Sequence, residues 1–126
     1  MAVKFYKCHH CGNVIVKCVD GGVTPVCCGQ EMKELNPRAM DGAAEKHVPQ
    51  VTKIDECTLK VEVGSVPHPM TPEHHIAFIF AETADGGQLV CLDPAKPAVT
   101  EICTCKHPVV AVYEYCNLHG LWVKEL

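Results

Sequence analysis

The 126-residue sequence predicts an all-β chain in two parts, a small metal-stapled domain over residues 1–36 and an antiparallel β-sandwich of immunoglobulin-like type over residues 37–126. Three observations lead there. Half of the ten cysteines fall within the first 36 residues, a length too short to hold itself together by apolar burial alone. From residue 46 onward, short apolar runs follow one another with turn signals between them. No stretch shows the 3.6-residue period of an amphipathic helix.

In the first part, Lys4–Lys7, Val14–Val19 and Thr24–Val26 have strand character, and glycines at 12, 21, 22 and 29 supply turns. Asn36-Pro37-Arg38 and Asp41-Gly42 make a linker. In the second part, Leu59, Val61 and Val63 alternate with Lys60 and Glu62, the two-residue period of a half-buried strand. Six further runs complete a seven-stranded set: His47–Ile54, His75–Glu82, Gln88–Leu92, Val99–Cys105, Val109–Tyr115 and Leu121–Glu125. Asp85-Gly86-Gly87 predicts a hairpin between the third and fourth of the seven.

Composition removes several classes of function. Eleven basic against fifteen acidic side chains leave a net charge of −4, with no basic stripe for a nucleic acid. The longest unbroken apolar run, Ile76 to Ala81, is far short of the roughly 20 residues that span a bilayer. The opening MAVKFYKCHHC lacks the apolar core of a secretory signal, so the expected compartment is the cytoplasm. Clustered cysteines there bind metals or do redox chemistry more often than they form disulfides.

Cys8-x-x-Cys11 and the adjacent Cys27-Cys28 are the first metal constellation. Two thiolates separated by two residues can close on one ion, because the turn between them aims both sulfurs inward. Adjacent strand residues point to opposite faces, so Cys27 and Cys28 share an ion only if the backbone leaves strand geometry, which Gly29 eases. Four thiolates suit zinc or iron, and spacing alone does not choose between them. The plainest role for such a site is to staple the domain.

The second constellation is His47, His68, His74, Cys116 and His119. Cys116-x-x-His119 is a local chelate, and His68 sits between Pro67 and Pro69, which stiffen its loop. Four imidazoles and a thiolate overfill a tetrahedral zinc site and suit five-coordinate iron with one position open, the mark of a catalytic metal.

On these residues the chain resembles the desulfoferrodoxins, the two-iron class of superoxide reductase, over essentially its whole length. The first four cysteines are similar to those of desulforedoxin. Glu45-Lys46-His47-Val48-Pro49, Gly64-Ser65-Val66-Pro67-His68-Pro69-Met70 and Glu114-Tyr115-Cys116-Asn117-Leu118-His119-Gly120 follow the family's active-site segments in order. The resemblance implies a rubredoxin-like iron on Cys8, Cys11, Cys27 and Cys28. It also implies a catalytic iron with His47, His68, His74 and His119 as equatorial nitrogens and Cys116 as axial sulfur. The implied reaction is one-electron reduction of superoxide to hydrogen peroxide. Electrons would come from rubredoxin or a similar donor, in a cytoplasmic homodimer.

In that setting Lys46 is a positive group placed to steer an anion and order water for proton delivery, against the alternative of a solvated lysine. Glu45 is placed to occupy the open position of the oxidised iron or assist product release, against that of a surface carboxylate. The remaining cysteines, Cys18, Cys57, Cys91, Cys103 and Cys105, are expected to be buried small apolar residues or inert thiols, against the alternative of a redox disulfide among them. His9, His10, His75 and His107 have no assigned role, and His75 is expected to point to the sheet face opposite His74. The competing functions are a non-catalytic two-iron electron carrier, a structural zinc protein acting as a binding module, and a superoxide dismutase. An electron carrier needs no open coordination position.

Overall fold

The computed structural model describes residues 3–37, 47–64 and 66–126. Its contacts gather into two compact units, Met1–Asn36 and Pro37–Leu126. Among the described residues there are twelve strands.

The first unit holds β1 (Phe5–Lys7), β2 (Val14–Val16), β3 (Val26–Cys27), β4 (Gln30–Glu31) and β5 (Lys33–Leu35). β1 lies between β2 and β5, antiparallel to both, with Phe5 opposite Val16 and Leu35. β3 and β4 form a separate hairpin. Tyr6, Cys8 and Met32 form a small buried cluster, with Cys27 packed against it. The strand expected over Val14–Val19 stops at Val16, because the chain then folds around Asp20. The Lys17 ammonium donates to Asp20 Oδ1 at 2.9 Å and to the Val23 carbonyl at 2.8 Å, while the Gly22 amide donates to Asp20 at 2.9 Å. The strand expected at Thr24–Val26 lies one to two residues later, and β4 and β5 are additional.

All seven runs expected in the second unit are strands: β6 (Pro49–Asp55), β7 (Thr58–Val63), β8 (Ile76–Thr83), β9 (Gly86–Cys91), β10 (Val99–Cys103), β11 (Ala111–Cys116) and β12 (Gly120–Glu125). They form two antiparallel sheets, β10-β7-β6 and β12-β11-β8-β9. Val61, Val63 and Ile102 from the smaller sheet meet Ile76, Ile79, Ala81, Val112 and Cys116 from the larger in one core.

Two local departures from regular strand geometry shape this unit. Tyr115 pairs with Phe78 but Cys116 pairs with Ile76, so Ala77 is an extra residue in β8. Without that bulge Ile76 would share the face of Phe78. With it, Ile76 turns into the core beside Cys116. The β8–β9 hairpin turns at Ala84-Asp85, with Thr83 opposite Gly86. Its glycines therefore open β9, and a Cβ at Gly87 would sit 2.5 Å from the Phe80 ring.

The five remaining cysteines are not the buried apolar residues expected, and two of them are not free thiols. Cys18, Cys91 and Cys103 are exposed, and Cys57 and Cys105 form a disulfide across 48 residues with their Cα atoms 4.4 Å apart. Strand parity explains Cys103: Ile102 fills the inner face of β10, so Val99, Glu101 and Cys103 face outward. The bridge follows from the backbone, since the β6–β7 turn lies beside the end of β10, where the Thr104 amide donates to the Cys57 carbonyl at 2.7 Å.

Candidate metal centres

The first centre is built from two tight turns. After β1 the chain doubles back, with the Cys8 amide donating to Asn13 at 2.8 Å and the Gly12 amide to the Cys8 carbonyl at 2.9 Å. Gly12 has φ +86°, a conformation that favours glycine. The Cys11 amide lies 3.5 Å from the Cys8 sulfur and donates to it. The second turn joins β3 to β4 through Cys28 and Gly29, at φ 53° and 73°. Positive φ at both central residues is what a tight two-residue hairpin requires, and here it lifts Cys28 out of strand alternation. Adjacent cysteines thus reach one point: Cys27 Sγ lies 3.7 Å from Cys11 Sγ and 3.9 Å from Cys28 Sγ. All four sulfurs lie within 4.8 Å of one another.

Protonation at this cluster is uneven. The Cys11 amide, and then that of His10, draw the Cys8 thiol down to about 6. Hydrogen bonds shared with Cys11 and then Cys27 push Cys28 up to about 12. Four sulfurs this close ionise together only around a cation, and the donor set fits a tetrahedral thiolate iron or zinc.

The second centre gathers side chains from four places in the sandwich. His47 stands two residues before β6. His68 lies in the β7–β8 connection, and its Nδ1 meets the Pro69 carbonyl at 2.7 Å, which leaves the lone pair on Nε2. His74 closes a turn in which its amide lies 3.2 Å from the Thr71 carbonyl and 3.1 Å from the Thr71 hydroxyl. Cys116 ends β11, and His119 occupies the three-residue turn before Gly120, which has φ +87°.

The four imidazoles form a closed ring. Centroids are 4.7 Å apart for His47–His68, His68–His74 and His47–His119, and 4.9 Å for His74–His119, each ring tilted by 60° or more to its neighbours. A square of that side places its centre about 3.4 Å from each centroid, the reach of a metal–nitrogen bond of about 2.1 Å plus half an imidazole ring. Cys116 Sγ lies 3.7 Å from His119 Nδ1. One donor atom from each of His47, His68, Cys116 and His119 lies within 4.8 Å of the others. Burial pushes the Cys116 thiol up, while the Leu118 and His119 amides donate to its sulfur and oppose that shift. The set fits an iron held by imidazoles and a thiolate.

Three residues that the sequence reading passed over support this ring. Glu114 is fully buried, two residues before Cys116 on the same face of β11, with Oε1 3.7 Å from His47 Nδ1. Burial pushes its carboxyl up to about 9. Trp122 stacks on His47, centroids 4.9 Å apart and planes within 13°. The Asn117 side chain brackets His74, accepting from the His75 amide at 2.9 Å and donating to the Glu73 carbonyl at 2.9 Å. The only sequence signal for them is their place in or near Glu114–Gly120, where a carboxylate and an amide interrupt an apolar strand. His75 does not point across a sheet, because β8 begins at Ile76. Its ring turns back to the Thr71 carbonyl at 2.9 Å. Glu45 and Lys46 lie outside the described residues.

Fold and sites together define a two-iron protein, one centre in a knuckle of four cysteines and the other in a sandwich with four histidines and a cysteine. The family model for desulfoferrodoxin matches residues 39–125, and that for the desulfoferrodoxin N-terminal domain matches residues 2–35; the chain belongs to the desulfoferrodoxin family. It is 45% identical over 123 residues to the desulfoferrodoxin of Nitratidesulfovibrio vulgaris, covering 97% of this chain and 95% of that one. It is 41% identical over 106 residues to a superoxide reductase of Pyrococcus horikoshii, covering 71% and 92%. Among solved structures, the superoxide reductase from Treponema pallidum matches with a TM-score of 0.81 and 32% identity, covering 98% of each chain.

Proposed function

We propose that this chain is a superoxide reductase, with the catalytic iron held by His47, His68, His74, His119 and Cys116 and a second iron held by Cys8, Cys11, Cys27 and Cys28. One observation carries the reading: four imidazole rings closed in a square around one point, with a thiolate beside them. Five donors of that kind leave a sixth position for a small anion, which an electron carrier has no use for. Bound there, iron supplies one-electron chemistry, so that superoxide, one electron and two protons yield hydrogen peroxide.

The protein's own groups set the conditions for that step. Neutral imidazoles hold the metal without cancelling its charge, which keeps the site attractive to an anion despite a net charge of −4. The Leu118 and His119 amides, by donating to the Cys116 sulfur, moderate how strongly that thiolate pushes electron density. Glu114 behind His47 and Asn117 around His74 hold the rings in place. Lys46, next to His47 in sequence, steers superoxide and orders the water that delivers protons, and Glu45 assists product release. Electrons come from rubredoxin or a donor like it. Exposed Val19, Val23 and Val26 on the first unit suit a homodimer. Among the described residues no helix is long and apolar enough to cross a membrane. The expected setting is detoxification in the cytoplasm.

The test is stoichiometric. Protein with two irons per chain should consume superoxide only while a reductant is present, forming peroxide without releasing oxygen. Oxygen release without a reductant would make it a dismutase, and no consumption would make it a carrier. Lys46→Ala should lower the second-order rate with superoxide about tenfold and flatten its dependence on ionic strength. An unchanged rate would remove the steering role.

A further inference from the structure

Five cysteines lie outside both metal clusters, and the structure joins only two of them, Cys57 and Cys105. Neither lies deep in the core. Cys57 is half-buried in the β6–β7 turn, and Cys105 is exposed just beyond β10. Their surroundings differ in charge. Cys57 follows Asp55 and Glu56, and its amide donates to the Asp55 carboxylate at 2.8 Å. Cys105 is followed in the sequence by Lys106 and His107, and the His107 ring lies 3.5 Å from an Asp85 carboxylate oxygen. An exposed cysteine with a second cysteine within bonding reach is the arrangement of a peroxide-reactive pair.

We propose that Cys57 and Cys105 form a peroxide-responsive dithiol–disulfide site, with Cys105 the attacking thiol and Cys57 the resolving one. The Cys105 thiolate attacks one oxygen of hydrogen peroxide: an S–O bond forms, the O–O bond breaks, and hydroxide leaves and is protonated to water. The Cys57 thiolate then attacks the sulfenic sulfur of Cys105; the S–S bond forms and the second oxygen leaves as water. Two thiols lose two electrons, and one peroxide becomes two waters. A dithiol reductant returns the pair by exchange, taking up the disulfide itself. The oxidant is the product of the reductase reaction, and to that extent the inference rests on the proposed function. It goes beyond that reading by giving the chain a second redox site that senses or consumes what the iron makes. Closing the bond ties the β6–β7 turn to the end of β10, which makes the smaller sheet the part that responds.

The experiment uses the full-length iron-loaded chain, reduced under anaerobic conditions with a dithiol, freed of it, and given one equivalent of hydrogen peroxide. Differential alkylation and peptide mass mapping should show a linked peptide joining Cys57 to Cys105, two mass units lighter than the thiol pair, reversed by fresh dithiol. Cys57→Ser should leave a sulfenic acid at Cys105 that dimedone traps at least about tenfold faster than at Cys91 or Cys103. Cys105→Ser should leave Cys57 no more reactive than those two. Absence of the linked peptide in folded, reduced protein would overturn the proposal. So would a bridge that dithiol cannot open in the folded protein, or equal trapping at all exposed cysteines. Because the peroxide is added from outside, the result is independent of whether the iron produces it, and failure here is distinct from failure of the reductase reading.

Discussion

The two metal centres are built by opposite routes. In the first unit two of the ligands belong to a cluster of four residues: Cys8 is buried with Tyr6 and Met32, Cys27 packs against them, and the longest strand has three residues. In the second, nine buried apolar residues, eight of them from the two sheets, make a cluster to which Cys116 among the ligands belongs. Four ligands then hang from turns and strand ends that the sandwich has already fixed. In the first unit the metal makes the fold, while in the second the fold makes the metal site. Structural ions contribute folding energy outright, whereas catalytic ones sit in cavities that exist for other reasons.

The largest expected effect tests this contrast directly. Removing both metals with a chelator should abolish the dispersed backbone resonances of residues 3–36 while those of the sandwich strands persist. Loss of both sets together would mean that the sandwich also depends on its ion.

Next comes the cost that the second site imposes on its own scaffold. Burial disfavours the charged form of Glu114 and pushes its carboxyl up from an ordinary 4.5 to about 9. The folded state therefore keeps a proton that the unfolded chain releases above about pH 4.5. That stabilisation is complete below this pH and fades as pH rises towards 9. The urea midpoint of metal-free protein should fall across this window, and Glu114→Gln should flatten the slope. An equal slope in the variant would place the titration elsewhere.

The sandwich has a covalent tie that the first unit lacks. Breaking the Cys57–Cys105 bond, by reduction or by Cys57→Ser, should cost about 2–4 kcal/mol, since it frees a 48-residue loop in the unfolded chain. In calorimetry this is a fall in Tm on the order of 10 °C, confined to the sandwich transition.

The smallest effect sharpens the comparison at a single loop. Asn117→Ala removes two hydrogen bonds that bracket His74 and should cost about 1–3 kcal/mol. The iron affinity of the sandwich should fall about tenfold with it, and that of the four-cysteine centre should not change. Asn117→Asp keeps the acceptor for His75 but loses the donor to Glu73, so it should recover part of the loss.

How much of this was legible in the sequence depends on how each feature is encoded. The sandwich strands announce themselves through alternation, as in Leu59–Val63, and through turn residues between runs. β4 and β5 do not, since two or three residues carry no period. The Cys27-Cys28 turn was legible because adjacent cysteines demand a break in alternation, and the structure shows that break as positive φ at Cys28. Cys57 and Cys105 were not, because pairing across 48 residues depends on which turn lands beside which strand end. Glu114 and Asn117 escaped for a related reason: their work is done on residues 42 and more positions away in the chain. The imidazole ring itself was readable only as a set of residue types, and its closure belongs to the fold.

Trp122 is the only tryptophan in the chain, and it lies face to face with His47. The protein therefore carries its own optical probe at the wall of one metal centre and none of that kind in the first 36 residues. Its emission belongs wholly to the sandwich, so loading, loss or exchange of the metal beside His47 can be followed in unlabelled protein while the four-cysteine centre is full or empty. One stacked pair of rings thus gives a way to study the two centres separately within a single intact chain.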